Sequence, residues 1–148
     1  MAKYKKKIVL ILFTNKYGKE YVKGVPNTPL RVYDIPALEA INRRIVHSEG
    51  TYFLFLCPRC GVVGLGTKVD FVLHPFNGLT MDERKRWALV VAEEMRRICA
   101  DINTNRVELW GSKIPPFLVD SLKMLSMDVS TPIQGLSAKA IKNIQDIF

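Results

Sequence analysis

The sequence predicts an α/β fold: a small, open, mostly parallel sheet of about four strands with helices on both faces. Three observations carry that expectation. Residues 8–13 and 52–56 are unbroken apolar runs that stop at turn formers, as strands buried on both faces do. Residues 80–100 repeat apolar side chains at helical spacing behind a capping signature. Strand-length and helix-length segments then alternate to the end of the chain, the pattern of right-handed crossovers in a parallel sheet.

The elements follow in order. After the strand at 8–13, residues 36–46 open on a proline at a plausible first helical position and set Leu38, Ile41 and Ile45 on one face. The strand at 52–56 follows. In the helix at 80–100, Thr80 and Glu83 form a capping box, Asp82 and Glu83 suit its positive end, and Arg96 and Arg97 its negative one. Trp87, Val91, Met95 or Glu94, and Ile98 are its sheet-facing side. Weaker strands follow at 106–110, stopped by Gly111, and at 128–131, stopped by Pro132. The helix at 115–126 starts on a proline pair and carries Leu118, Leu122 and Leu125. The helix at 137–147 is capped by Ser137 and carries Ile141 and Ile144.

A chain of 148 residues, 48% hydrophobic and 24% charged, has the size and composition of one domain, 1–148, with a basic start at 1–6. No apolar run approaches the roughly 20 residues of a membrane span, and Lys3–Lys7 is followed by no cleavage site, so no membrane partner is expected. Three cysteines, Cys57, Cys60 and Cys99, do not make a disulfide framework and suit a reducing cytoplasm. The net charge is +8, clustered in Lys3, Lys5–Lys7, Arg84, Lys85 and Arg86, and Arg96 and Arg97. Such an excess favours polyanions, nucleic acid first among them, RNA ahead of DNA, or a nucleotide. Lysine-rich surfaces also occur in thermostable proteins with no such partner.

Ligands of open α/β sheets bind outside the carboxyl ends of the strands, so chemistry is sought there. The first strand exits into Thr14-Asn15-Lys16-Tyr17-Gly18-Lys19, a polar and cationic loop suited to phosphate or carboxylate, though it matches neither the P-loop nor the dinucleotide fingerprint. The second exits into Cys57-Pro58-Arg59-Cys60-Gly61-Val62-Val63-Gly64-Leu65-Gly66. The Cys-x-x-Cys spacing is that of zinc or redox sites, but zinc wants a second close pair and a redox pair should open a helix. The plainer reading is a tight turn shaped by Pro58 and Gly61 that aims Arg59 into the cleft, with no metal. His74 has a near-neutral side chain but no evident carboxylate partner. The third strand exits at Gly111-Ser112-Lys113. Thr14, Asn15, Lys16, Arg59, Gly61 and Lys113 are therefore the candidate ligand or phosphate site, expected to converge in one cleft. Arg84, Lys85 and Arg86 are the candidate nucleic-acid face. No cofactor is expected, and no aromatic platform is apparent, Trp87 and Trp110 being read as core.

The motif order resembles a small uncharacterised α/β domain family of bacteria, archaea and viruses. It is more remotely similar to the YaaA peroxide-stress proteins and to a domain of archaeosine synthase. The residues concerned are Cys57-Pro58-Arg59-Cys60-Gly61-Val62-Val63, His74-Pro75-Phe76-Asn77 with Trp87, and Pro132-Ile133-Gln134-Gly135-Leu136-Ser137-Ala138-Lys139. Where that family has a Cys-Ser pair after the first strand, this chain has Phe13-Thr14, and its last glycine is Ala138 here. The resemblance implies an α/β fold and a setting of nucleic-acid binding or tRNA base modification, without a reaction. Three functions follow as expectations: a nucleic-acid-associated binding module, a small enzyme acting on a nucleoside or nucleotide, and a protein–protein adaptor. The enzyme reading lacks a general base, since the nearest carboxylates, Asp34 and Asp70, fall in loops.

Overall fold

The computed structural model describes residues 6–14, 16–47, 49–59, 61–70 and 78–143. Among the described residues ten elements follow one another: β1 (Lys7–Leu12), α1 (Pro29–Val32), α2 (Leu38–His47), β2 (Thr51–Cys57), β3 (Gly61–Gly64), α3 (Met81–Ile102), β4 (Arg106–Trp110), α4 (Leu118–Met124), β5 (Asp128–Ser130) and α5 (Ala138–Asn143). The α/β class is as the sequence predicts. The sheet, however, is a mixed one of five strands in the order β3-β2-β1-β4-β5, not a mostly parallel one of four. β1 pairs in parallel with β2 and with β4, β4 in parallel with β5, and β3 runs antiparallel to β2.

The period of two in β1 explains its unbroken apolar run. Val9 and Ile11 enter one core with Tyr33, Ile41, Phe55, Cys57, Trp110 and Ile141. Ile8, Leu10 and Leu12 enter the other with Leu56, Val91, Met95, Leu109, Leu118 and Leu122. A central strand that covers two cores has no polar face to show. Thus α1, α2 and α5 cover one face of the sheet and α3 and α4 the other. Leu38, Ile41 and Ile45 all pack on the first core and Leu118, Leu122 and Leu125 on the second, as their spacing predicts. Ile144 lies outside the described residues.

The added strand comes from the Cys-x-x-Cys segment. Gly61, at φ 75°, reverses the chain so that Cys57 pairs with Gly61 and Leu54 with Gly64. A left-handed glycine closing a short loop is the usual geometry of such a hairpin. Its outer edge is anchored by α3, where the Glu94 carboxylate accepts the Val62 N–H at 2.8 Å. A Cβ on Gly61 would meet that carboxylate at 2.7 Å, a second reason for glycine. The alternative reading of Met95 or Glu94 as the buried residue resolves into both: Met95 is wholly buried, and Glu94 reaches the hairpin.

The capping box of α3 forms as the sequence predicts. Glu83 N–H donates to Thr80 Oγ1 (3.2 Å), and Thr80 N–H to Glu83 Oε1 (2.9 Å). These bonds from Thr80 hold the Glu83 carboxyl below the usual carboxylate range. The proline-led starts fall differently from the sequence reading. Pro36 precedes α2, whose first turn is entered through Ala37 at φ 55°, and α4 starts after Phe117 at φ 68° rather than on the proline pair. No helix among the described residues is long and apolar enough to cross a membrane.

Candidate functional site

The connection from β1 leads to β2 on one side over the first face, and the connection from β4 leads through α4 over the second face to β5 on the other side. The strand order therefore reverses between β1 and β4. Connections that leave toward opposite faces cannot close the gap between the two strand ends, and that gap is where such sheets hold ligands. A cavity of about 650 Å³ lies there. It is lined by Leu12 at the end of β1 with Phe13, Thr14 and Lys16 beyond it, by Trp110 at the end of β4 with the residues to Pro116 beyond it, by Asp34 to Ala37 with Ile41 at the start of α2, and by Ile133.

Its floor is apolar and fixed. Ile35, Ala37, Ile41, Trp110 and Ile133 are all nearly inaccessible to solvent. Gly111 lets the two strand exits touch, since a Cβ there would stand 3.0 Å from Leu12 Cβ and Cδ1. The Trp110 indole is held by Glu108, which accepts its N–H at 3.0 Å and pairs with Lys7 at 2.8 Å. The loop after β5 closes one side, with Gly135 N–H donating to Ser112 O at 2.8 Å. Lys16, Asp34 and Lys113 stand exposed around the mouth.

The β1 exit is braced, not loose. Thr14 Oγ1 donates to Asp34 O (3.1 Å), and Asp34 N–H donates to Lys16 O (3.0 Å). The Thr14 proton is thus spent on the backbone, leaving its oxygen lone pairs as an acceptor at the cavity wall.

Of the expected convergence, Thr14, Lys16 and Lys113 share this cavity. Asn15 lies outside the described residues. Arg59 does not join them: it stands exposed at the tip of the β2–β3 hairpin and is not among the lining residues. The reason is topological, because the β2 exit turns straight back as β3 and lies one strand away from the reversal. Gly61 serves that hairpin and also lies off the cavity. Lys85 and Arg86 are exposed on the first turns of α3 and Arg84 is half-buried there. Lys85 Nζ lies 5.4 Å from the Phe117 ring centroid, within cation–π range.

Sequence reasoning set Asp34 aside as a loop carboxylate, whereas it lines the cavity, and it missed the hydrophobic floor. Asp34 precedes a helix start, a signal that could have marked it.

The Cys57 thiol is wholly buried, 3.8 Å from Tyr33 Oη, so the hairpin directs it into the first core. Cys60, His74 and the His47 side chain lie outside the described residues. Among the described residues no three His, Cys, Asp or Glu side chains gather as a metal site would require. Burial pushes the Cys99 thiol up, away from the thiolate form. Trp110 is core, as expected. Trp87 is half-buried, donating its indole N–H to Pro58 O at 3.0 Å and meeting Phe13 edge-on.

No protein-family profile, no curated protein and no solved structure matches the chain.

Proposed function

We propose that the protein is a nucleotide-binding module associated with nucleic acid. The observation that carries the reading is the cavity between the β1 and β4 exits, with an apolar floor under a mouth bearing Lys16 and Lys113. Its volume falls inside the range of about 300–1,000 Å³ common to small-molecule sites. A flat, weakly polar base suits the floor, and a phosphate suits the lysines. The net charge of +8 and the resemblance to YaaA-like and archaeosine-synthase-like domains support the same setting.

The test is a fluorescence titration in a Trp87→Phe background, so that Trp110 on the cavity floor reports alone. AMP is expected to change the emission saturably and to bind about tenfold more tightly than adenosine. Lys16→Ala combined with Lys113→Ala should erase that difference, because charge-assisted bonds to phosphate are lost. A Trp110 signal indifferent to millimolar AMP would overturn the reading.

A second reading, a small enzyme acting on a nucleoside or nucleotide, is favoured by one observation: Asp34 lines the same cavity. It requires product to form from a bound nucleotide and to stop forming in Asp34→Asn with binding retained.

A further inference from the structure

Asp34 is the acid among the described residues that line the cavity, and its backbone is fixed from both sides. Its carbonyl accepts from Thr14 Oγ1 at 3.1 Å, and its N–H donates to Lys16 O at 3.0 Å. Beyond it Ile35 is buried in the first core, and Pro36 narrows the backbone freedom of both its own position and Ile35. An aspartate side chain has few rotatable bonds past such a backbone, so its carboxylate loses little freedom when a ligand meets it.

The groups around the mouth have not neutralised one another. Asp34, Lys16 and Lys113 are exposed, and among the described residues neither the carboxylate nor the two ammonium groups take part in an ion pair or a side-chain hydrogen bond. An ionised carboxylate only accepts hydrogen bonds and an ammonium only donates them, so acid and bases ask for different parts of one ligand.

Charge narrows what the carboxylate can take. Two lysines against one acid leave the mouth net positive, which disfavours a cationic ligand. A hard metal ion wants several oxygen ligands, and among the described residues no three His, Cys, Asp or Glu side chains gather. What suits Asp34 is a neutral donor, such as a hydroxyl, on a ligand that is anionic elsewhere. A ribonucleotide carries both, together with a flat base for the apolar floor. Repulsion between phosphate and carboxylate turns the phosphate toward the lysines and leaves the sugar to the acid.

We propose that Asp34 makes the cavity selective for ribonucleotides over deoxyribonucleotides, its carboxylate accepting the ribose 2′-hydroxyl while Lys16 and Lys113 hold the phosphate. This rests on the nucleotide reading given above and adds the sugar to it. The hydroxyl concerned is the one by which a protein tells RNA from DNA, so the nucleic acid associated with this site is RNA.

Isothermal titration calorimetry of the intact chain with AMP and with dAMP tests the assignment, in the parent, in Asp34→Ala and in Asp34→Asn. The parent should bind AMP about tenfold more tightly than dAMP, the low end for a hydrogen bond to a charged group, because Asp34 is exposed. In Asp34→Ala that preference should vanish without a fall in dAMP affinity, which also reports that the variant is folded. Asp34→Asn, which keeps a neutral acceptor of the same shape, should retain part of the preference. Equal binding of AMP and dAMP by the parent would overturn the ribose assignment and leave the nucleotide reading standing. Binding of neither by the parent would remove that reading and this assignment together. A preference for AMP that survives intact in Asp34→Ala, or equal losses of both nucleotides in both variants, would overturn Asp34 as the selecting residue.

Discussion

At the scale of single residues, glycine separates positions where the fold demands a missing side chain from positions where it does not. Gly18 and Gly111 both sit against other chain segments: a Cβ would stand 2.3 Å from Arg31 O at the first and 3.0 Å from Leu12 Cβ at the second. Backbone cannot yield as a flexible side chain can, so Gly18→Ala should cost about 1–3 kcal/mol, as overpacked sites do. At Gly66 a Cβ would meet nothing within 4 Å, and the backbone there is not left-handed. Gly66→Ala should therefore change stability by less than about 1 kcal/mol, and in the stabilising direction, by restricting the unfolded chain. Urea denaturation of the two variants checks the contrast, and equal losses would refute it. The sequence marks Gly18 only as a loop glycine. Thr14, Lys16 and Lys113 were legible as residues of the cavity because strand exits are where such sheets leave room, but the partners of Gly18 are remote in sequence and carry no local signal. The same holds for Ile133, which reaches the cavity floor from beyond β5.

At the scale of elements, what the sequence shows depends on how much an element explains itself. α3 has its own cap, acidic first turn and apolar stripe, and it forms over Met81–Ile102 behind Thr80, although it runs past Arg96 and Arg97, which therefore do not stand in its last turn. β3 has none of these. Its residues Gly61-Val62-Val63-Gly64 read as a loop, and they become a strand only because β2 offers an unpaired edge and Glu94 secures the far side. The short α1 is equally silent, since four residues give no period to read. The self-contained cap makes a prediction. Thr80→Ala should destabilise the protein by about 1 kcal/mol, the usual value of an N-cap hydroxyl. Because Thr80 lowers the Glu83 pKa in the folded state, the capping box contributes stability that is present above the unfolded carboxylate pKa. It is lost as pH falls through the folded one. The gap between parent and Thr80→Ala should therefore narrow as the pH is lowered through the carboxylate range. Thermal melts at neutral and acidic pH measure it, and a gap that widens in acid would refute the capping-box account.

At the scale of the whole molecule, the excess of positive charge is distributed among places that the fold keeps apart. Lys16 and Lys113 stand at the cavity mouth, Lys19 and Lys23 on the loop after β1, Arg59 at the tip of the β2–β3 hairpin, and Lys85 and Arg86 on α3. Charge alone could not order these groups, because each is equally visible to a distant phosphate in the composition of the chain. Geometry does order them: Lys16 and Lys113 share one cavity, while Arg59 lies at another strand end. Each phosphate contact releases condensed counterions, so the slope of log affinity against log salt counts contacts, at about 0.7 per contact for single strands. Single-strand binding by the parent should be micromolar or weaker and should fall steeply between low and moderate salt. Lys16→Ala with Lys113→Ala should flatten that slope by roughly 1 to 1.5, Lys85→Ala with Arg86→Ala by less, and Arg59→Ala by least. A largest change in the α3 variant would move the contact surface to that helix, and no binding of single strands by the parent at low salt would leave the adaptor as the better account. Sequence preference should stay slight in every variant, because pairing with lysines reads the charge of a nucleotide and not the edge of its base.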